Sequence, residues 1–360
     1  MKLTEFSAVD FRNLRMLRIA PNPQFNIIEG RNGAGKTNVL EGIFLLSSLK
    51  TFRPGTNKDL VRFGTQSGEV RAVVEHQDTT RTIRISVSPK GRRVWIDGKL
   101  VRSAATALGQ LTAVLFAPED LSLTKGSPSG RRRFLDRAIF NRWPSSLDAV
   151  KRYESALKQR NALLRTDGSE TLLEVFDDQL AHAALSLSQW RQKYIELFRP
   201  ILEETMQLIT GGDLRTTVRY EPSRLVDTHE QWVDIYRLNR RRDRARKSTT
   251  AGPHVDDIGL LLCDRSAKLY ASQGQHRALV LALKIAEIRL LKQELGFAPV
   301  LLLDDVSSEL DAKRNAQLTA FLNSKAFGGQ VFITTTDRSW LDFDSKSTCF
   351  RILDGDVSEH

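Results

Sequence analysis

The sequence predicts a two-lobed α/β protein, in which a parallel-sheet core carries a smaller antiparallel β subdomain and is interrupted by an inserted α-helical arm. Three observations predict this fold class. A glycine-rich loop at residues 30–37 follows an apolar run and precedes an apolar helical pattern. A second apolar run, residues 299–303, ends in two aspartates. Between these motifs, long amphipathic helical patterns occupy residues 131–208.

The composition is that of a folded, basic protein. A hydrophobic share of 41% over 360 residues is enough for more than one lobe and argues against disorder. Lys and Arg total 54 against 43 Asp and Glu, so the net charge of +11 favours an anionic partner such as nucleic acid. The cysteines, Cys263 and Cys349, support neither a disulfide framework nor a thiolate zinc site. Without a recognisable signal peptide or membrane span, we expect a soluble cytoplasmic protein.

Short strand patterns dominate the first third of the chain. They lie at residues 3–10, 15–19, 69–75, 82–87 and 93–96. Asp97-Gly98 predicts a tight hairpin after the last of them. These strands make up the predicted antiparallel subdomain, and residues 114–116 return the chain to the core.

Helical patterns follow at residues 131–140, 145–165 and 171–208. Pro200 predicts a kink or a break in the last helix, because proline removes a backbone donor. Apolar residues share one helix face at coiled-coil spacing, but this seam spans too few heptads for a true coiled coil. The sequence therefore favours a small helical subdomain.

The glycine-rich loop has Walker-A spacing: Gly30, four residues, then Gly35, Lys36 and Thr37. Glycine lets the backbone approach phosphate oxygens, and the following helix directs free N–H groups and its positive end towards a polyphosphate. Lys36 adds a point charge, and Thr37 would place a hydroxyl on Mg²⁺. The loop residues predicted to contact the nucleotide are Gly30, Arg31, Asn32, Gly33, Ala34, Gly35, Lys36, Thr37 and Asn38.

The apolar run that ends in Asp304 and Asp305 has the pattern of a Walker-B strand. A buried parallel strand is continuously apolar, and ligands bind at its carboxyl end. We expect Asp304 to hold Mg²⁺, while Asp305 orients or deprotonates the attacking water, with Lys36 as its catalytic partner. Acids after an apolar strand are also common helix caps, and it is the nearby phosphate loop that favours the catalytic interpretation.

Two further motifs flank the Walker-B strand. Ser272-Gln273-Gly274-Gln275 opens an apolar helix, with Ser272 as its predicted N-cap. Ser308-Glu309-Leu310-Asp311 follows the paired acids, and residues 330–336 read as a further strand. Alone, the first motif would indicate nothing more than a capped helix.

In this order and spacing, the motifs resemble the ABC-type ATPase heads of the SMC-like family, over nearly the whole chain. Residues 11–13, 116–121, 126–136 and 252–257 are similar to the bacterial recombinational repair ATPases within that family. The resemblance implies a P-loop ABC-type ATPase head built from residues 1–122 and 251–360, with an inserted helical arm at residues 123–250.

The resemblance also implies a head that closes on a second copy with ATP and Mg²⁺ between them. It places Arg12 and Asn13 at the nucleotide, and Thr335 or Thr336 at the switch position. The resemblance also implies that the partner copy contributes its signature and D-loop residues to the site, namely Ser272, Gln273, Gly274, Gln275, Ser308 and Asp311. The implied partners are double-stranded DNA, gapped DNA junctions and recombination mediator proteins, in repair, replication and the SOS response.

Arginine clusters at residues 131–133 and 237–247 are the candidate DNA contacts. Clustered guanidinium groups pair with phosphates, but they also keep a surface loop solvated, and the sequence leaves both interpretations open. The candidates are Arg131, Arg132, Arg133, Arg240, Arg241, Arg242, Arg244 and Arg246.

The chain departs from transporter-type ABC ATPases in three places. Asp305 stands where they carry glutamate, Thr335 or Thr336 where they carry a switch histidine, and Glu119 is the candidate for their Q-loop glutamine. A shorter base predicts slow hydrolysis, and the resemblance implies that this hydrolysis depends on DNA. The alternatives are a noncatalytic clamp joined by ATP and a transporter ATPase. A small P-loop GTPase or kinase is disfavoured, because residues 57–59 have one residue too few for the GTPase base-recognition motif.

Overall fold

The computed structural model describes residues 1–166, 168–306, 310–324, 327–336, 347–353 and 355–359. The chain divides into two compact units: the P-loop unit, Met1–Asp120 with Arg277–His360, and the arm unit, Leu121–His276. The domain boundaries that we predicted from the sequence remain a prediction.

Along the chain, the described elements come mostly as runs of strands and runs of helices. The strands are β1 (Lys2–Phe11), β2 (Leu14–Ile19), β3 (Phe25–Glu29), β4 (Gly68–His76), β5 (Thr79–Ser88), β6 (Gly91–Ile96), β7 (Lys99–Val101), β8 (Ala113–Phe116), β9 (Thr216–Glu221), β10 (Asp257–Leu262), β11 (Arg265–Ser266), β12 (Val300–Asp304), β13 (Val331–Thr335), β14 (Ser347–Leu353) and β15 (Asp356–Glu359). The α-helices are α1 (Lys36–Ser48), α2 (Asn57–Leu60), α3 (Ala104–Ala107), α4 (Ser122–Lys125), α5 (Pro128–Arg142), α6 (Leu147–Arg165), α7 (Glu170–Thr210), α8 (His229–Arg246), α9 (Ala267–Tyr270), α10 (Gln273–Leu295) and α11 (Ala312–Asn323). Short 3₁₀ turns lie at Pro118–Leu121, Pro144–Ser146 and Pro253–Val255.

The antiparallel sheet of the P-loop unit has the strand order β2-β1-β4-β5-β6-β7. Strand β4 and most of β5 alternate buried residues with partly exposed ones, as expected where one face of a sheet is covered more fully than the other. Asp97 (φ 50°) and Gly98 (φ 76°) form the predicted hairpin, since a two-residue type I′ turn needs positive φ at both positions.

The second sheet has the order β15-β14-β3-β13-β12-β8, and β14, β3, β13, β12 and β8 run parallel. Because Asp304 pairs with Thr334, and Thr335 with Glu29, the carboxyl ends of β3, β12 and β13 meet at one edge. Helix α1 begins at this edge. It belongs to a core cluster that includes side chains from both sheets. This arrangement confirms the predicted α/β class.

The arm unit combines α4–α9 with a small sheet of order β11-β10-β9. Helices α6, α7 and α8 share a buried cluster that includes Tyr153, Leu180 and Trp232. Helix α7 continues through Pro200, so the break that we predicted as one outcome is wrong, whereas the kink that we predicted as the other stays a prediction. Buried Phe198 and Leu202 flank the proline, and their packing offsets the missing backbone hydrogen bond. Among the described helices, none is both long and apolar enough to cross a membrane.

Candidate functional site

The glycine-rich loop connects β3 to α1 with two glycines in the left-handed region. Gly33 has φ 83°, and Gly35, the N-cap of α1, has φ 117°. A Cβ on Gly35 would lie 2.7 Å from Asn13 Oδ1. Only glycine satisfies both the dihedral and the spacing, so the loop keeps its N–H groups at the start of the helix, where an anion binds.

The turn after β1 supports this loop. Asn13 Nδ2 donates a hydrogen bond to Gly33 O (3.1 Å), and Asn38 Nδ2 donates to Asn13 Oδ1 (2.5 Å). Arg12 forms a two-pronged ion pair with Glu41, at 2.8 and 2.9 Å. The structure therefore brings Asn13 to the Walker-A loop and Arg12 to helix α1, and the contact of both residues with a nucleotide stays a prediction.

Lys36 lies folded over the loop. Its Nζ donates to Gly30 O (2.8 Å) and Arg31 O (3.1 Å). Burial lowers the Lys36 pKa, while the charges of Asp305 and Asp304 oppose that shift. A partly desolvated ammonium attracts phosphate more strongly than one in water, so this position suits binding of the outer phosphates.

Thr37 and Asp304 join the two Walker motifs directly. Thr37 Oγ1 donates to Asp304 Oδ1 at 2.8 Å, and Thr334 Oγ1 donates to the same oxygen at 2.8 Å. The Asp304 side chain is buried. A hydroxyl beside a carboxylate is a set of hard oxygen donors, which is what Mg²⁺ prefers, so these residues fit the predicted metal site.

Asp305 follows in a strained backbone conformation, with φ 46°. Its N–H donates to Thr334 Oγ1 at 2.9 Å, which fixes the main chain after β12. Burial raises the Asp305 pKa, and the neighbouring Asp304 charge raises it further, whereas Lys36 lowers it. A carboxylate with a raised pKa is a better proton acceptor, consistent with the role predicted for Asp305.

The signature stretch begins α10 with reciprocal capping. Ser272 N–H donates to Gln275 Oε1 (2.8 Å), and Gln275 N–H donates to Ser272 Oγ (3.2 Å). Ser272 and Gln273 are exposed, and a Cβ added to Gly274 would meet no atom within 4 Å. The preceding Leu269 and Tyr270 are 71% and 67% exposed. This helix start is therefore accessible to another molecule.

The remaining predicted site residues have different environments. Asp311 caps α11 by accepting from Arg314 N (3.0 Å) and pairs with the Arg314 guanidinium (3.0 Å). Thr335 is buried at the end of β13, whereas Thr336 is exposed. Glu119 is exposed after β8, and Ser308 lies outside the described residues.

The arginine clusters are less available than the sequence suggested. Arg131 is buried and pairs with Asp257 at 2.7 and 2.8 Å, so it is not a surface contact. Arg132 donates to Asp256 O at 2.6 Å. The 237–247 run forms most of α8 rather than a loop, and Arg240 and Arg244 on one face of the helix pair with acids of α7. The exposed candidates are Arg133, Arg241, Arg242 and Arg246.

A family model described as the RecF/RecN/SMC N terminal domain matches residues 2–354. The chain belongs to this family. It is 42% identical over 350 residues to the DNA replication and repair protein RecF of Anaeromyxobacter sp. (strain Fw109-5), covering 95% of this chain and 94% of the relative. It is 38% identical over 365 residues to the RecF protein of Geobacter sp. (strain M21), covering 99% and 100%.

Solved structures within the RecF/RecN/SMC family agree with this membership. A structure described as the recombination mediator protein RecF-ATP in the RecFOR pathway has a TM-score of 0.90 at 32% identity, covering 100% of this chain and 97% of that one. The corresponding RecF-ATPrS structure also gives 0.90 at 32%, with 99% and 97% covered. An Smc head domain from Pyrococcus furiosus gives 0.56 at 16% identity, covering 100% and 96%, and so shares the fold alone.

Sequence reasoning missed two residues of this family member's site. Thr334 bridges Asp304 and the Asp305 backbone. The sequence predicted the strand that carries Thr334, but not the register that sets Thr334 opposite Asp304. Glu41 is fully buried and forms ion pairs with both Arg12 and Arg53. A lone acid on the apolar face of α1 was the available signal, because a buried carboxylate needs cationic partners.

Proposed function

We propose that this chain is an ATP-binding, slowly hydrolysing DNA-binding protein of recombinational repair and replication. The observation that carries the proposal is the 2.8 Å hydrogen bond from Thr37 Oγ1 to Asp304 Oδ1, which puts Walker-A and Walker-B donors at one point. The RecF relatives named for DNA replication and repair, and the similar chain described with ATP, support the same function.

In this proposal, the chain holds the triphosphate through the loop N–H groups and Lys36. Thr37 and Asp304 would hold Mg²⁺, whose positive charge would offset that of the outer phosphates. Asp305 would orient a water for attack on the γ-phosphorus and accept its proton, while the bond from that phosphorus to the β-phosphate oxygen breaks and releases ADP and phosphate. Because aspartate is one methylene shorter than glutamate and its backbone is strained here, we expect slow turnover.

Two copies would close on ATP. The exposed start of α10 offers the Ser272 hydroxyl and the positive end of the helix dipole, and a helix N-terminus with a serine cap is a good anion receptor. It would bind the γ-phosphate held by the other copy, so loss of that phosphate would open the dimer.

The proposed nucleic-acid partner is double-stranded DNA at gapped junctions, where mediator proteins help load recombinase on single strands. The net charge of +11 and the exposed Arg133, Arg241, Arg242 and Arg246 support phosphate contact. These arginines lie in the arm unit.

Sedimentation of the full chain with ATP, with ADP and without nucleotide tests the dimer. Ser272→Arg should bind ATP normally and stay monomeric, whereas Lys36→Met should lose ATP affinity. Ser103→Arg, an equal charge change at another exposed serine, is the matched control and should dimerise. Normal ATP-dependent dimerisation of Ser272→Arg would refute the trans role. A persistent ATP dimer that releases no phosphate would favour the noncatalytic clamp.

Duplex binding at several salt concentrations tests the DNA partner. The double variant Arg241→Glu, Arg242→Glu should weaken binding and flatten its salt dependence, because removing one arginine–phosphate pair lowers the slope by about one unit. Replacing two exposed P-loop-unit arginines, Arg93→Glu and Arg102→Glu, changes the net charge equally. If both double variants lost the same affinity for duplex DNA, the effect would be one of net charge, and the α8 surface would not be a specific DNA contact.

A further inference from the structure

Three side chains of types that commonly bind metals converge where α7 and α8 meet. Asp178 and His182 lie on α7, and His229 is the first residue of α8. One ligand atom from each lies within 4.8 Å of the other two. We propose that Asp178, His182 and His229, here called the DHH cluster, bind a divalent transition-metal ion, with Zn²⁺ as the best match.

The local sequence explains the convergence. Asp178 and His182 are four residues apart, so they share one face of α7. Thr228 caps α8 by accepting from Gln231 N–H, and the Gln231 side chain returns the contact to the cap backbone. This capping box fixes the direction in which α8 begins, and with it the position of His229.

The distances are close to those of a zinc site. His229 Nε2 lies 3.0 Å from Asp178 Oδ1, and the rings of His182 and His229 are stacked with centroids 3.7 Å apart. Tetrahedral zinc with bonds of about 2.0–2.1 Å holds its ligand atoms roughly 3.3 Å apart. In the proposed site, rotation of the side chains would close the remaining gap, and two imidazoles with one carboxylate form a donor set typical of open zinc sites.

The backbone beneath the cluster is held independently of any ion. Asp177, next to Asp178, is buried and accepts hydrogen bonds from Arg160 (2.6 Å) and Arg240 (2.8 Å). Trp232, one turn after His229, is buried in the α6–α8 cluster. A preformed scaffold of this kind lowers the entropy lost when the ligands bind a metal.

The surroundings favour a cation and leave room for a fourth ligand. Glu230 Oε1 lies 3.9 Å from His229 Nδ1, which adds a second carboxylate to that of Asp178. Asp178 and His182 also line a cleft of about 690 Å³ that extends to Arg152 and Trp190. Three protein ligands beside an open cleft would leave one coordination position for water.

Titration of the full chain with Co²⁺ and then Zn²⁺ tests the proposal. The chain carries Cys263→Ser, since that exposed thiol competes for zinc, and excess Mg²⁺ occupies oxygen-donor sites such as Thr37 and Asp304. We expect one Co²⁺ per chain with visible absorption of a nitrogen–oxygen site, displaced by Zn²⁺. His182→Ala and His229→Ala should each weaken Zn²⁺ binding at least tenfold in calorimetry.

Two controls keep the test decisive. His76→Ala, in the P-loop unit, should leave Zn²⁺ affinity unchanged. Zn²⁺ should raise the melting temperature of the parent but not of His182→Gln, a conservative variant of an exposed residue. Zn²⁺ binding by His182→Ala and His229→Ala as tight as by the parent would overturn the proposal. So would loss of binding in His76→Ala alone, because the ion would then lie elsewhere.

Discussion

Replacing Arg160 with methionine should destabilise the arm unit strongly. The guanidinium is fully buried, and its nitrogens donate to Asp177 Oδ1 (2.6 Å), Asp243 Oδ2 (2.7 Å) and Thr249 Oγ1 (2.8 Å). Methionine fills similar volume but leaves Asp243 buried without this cation. Breaking a buried ion pair costs about 3–5 kcal/mol. A domain of this size loses about 2–4 °C per kcal/mol, so we expect the melting temperature to fall by roughly 6–20 °C.

Scanning calorimetry and urea titration of the purified chain measure this loss. The matched control is Arg240→Met, which removes a less buried arginine while Asp177 keeps Arg160; we expect a loss of about 1–2 kcal/mol. Adding Asp243→Asn to Arg160→Met should recover stability, because it neutralises the stranded charge. Equal losses for the two arginine variants, or no recovery in the double variant, would refute the reasoning.

Three further predictions concern the nucleotide site and pH. Thr37→Val should weaken ATP binding about tenfold or more with Mg²⁺ and little with EDTA, because it removes the hydroxyl that faces Asp304. The control Thr37→Ser keeps the hydroxyl and should bind ATP normally. If Thr37→Val lost as much affinity in EDTA as in Mg²⁺, the metal-binding role of Thr37 would be contradicted. Asp305→Asn should keep the ATP dimer but release little phosphate. Because burial raises the Asp305 pKa, ionisation of this carboxyl group costs folding stability above that pKa. The asparagine variant, which cannot ionise, should therefore melt at a higher temperature than the parent at neutral pH and at the same temperature in acid. Burial lowers the His254 pKa from the usual 6.5, so the parent should lose stability as pH falls from 6.5 towards the lowered pKa. The variant His254→Gln can still donate to Thr249 O. Between melts at about pH 7.5 and about pH 5.5, it should lose less stability than the parent.

The nucleotide motifs could be predicted because their information is local. Walker-A spacing lies within eight residues, from Gly30 to Thr37, and strand alternation is visible over short runs. Placing Thr37 near Asp304 needed only the rule that carboxyl ends of parallel strands meet at one edge of a sheet. The Asp97-Gly98 hairpin likewise depends on two residues that tolerate positive φ.

The rest depends on partners that are distant in the chain. Arg131 has the sequence setting of a surface arginine, but Asp257 neutralises it from 126 positions away. Nothing near Glu41 in sequence indicates that Arg12 reaches it from the turn after β1. Pro200 signals a helix break, yet packing on both sides of it overrides that preference. The DHH cluster also required knowledge of how α8 begins against α7.

The strand order of the parallel sheet has a consequence for biosynthesis. β3, which leads into the Walker-A loop, is hydrogen-bonded on one side to β13 and on the other to β14, both from the last part of the chain. At roughly 5–20 residues per second, a ribosome would leave β3 without either neighbour for about 15–60 s. The emerging polypeptide thus holds an apolar segment open until translation is nearly over, and for most of that period the Walker-B strand β12 has not yet been made.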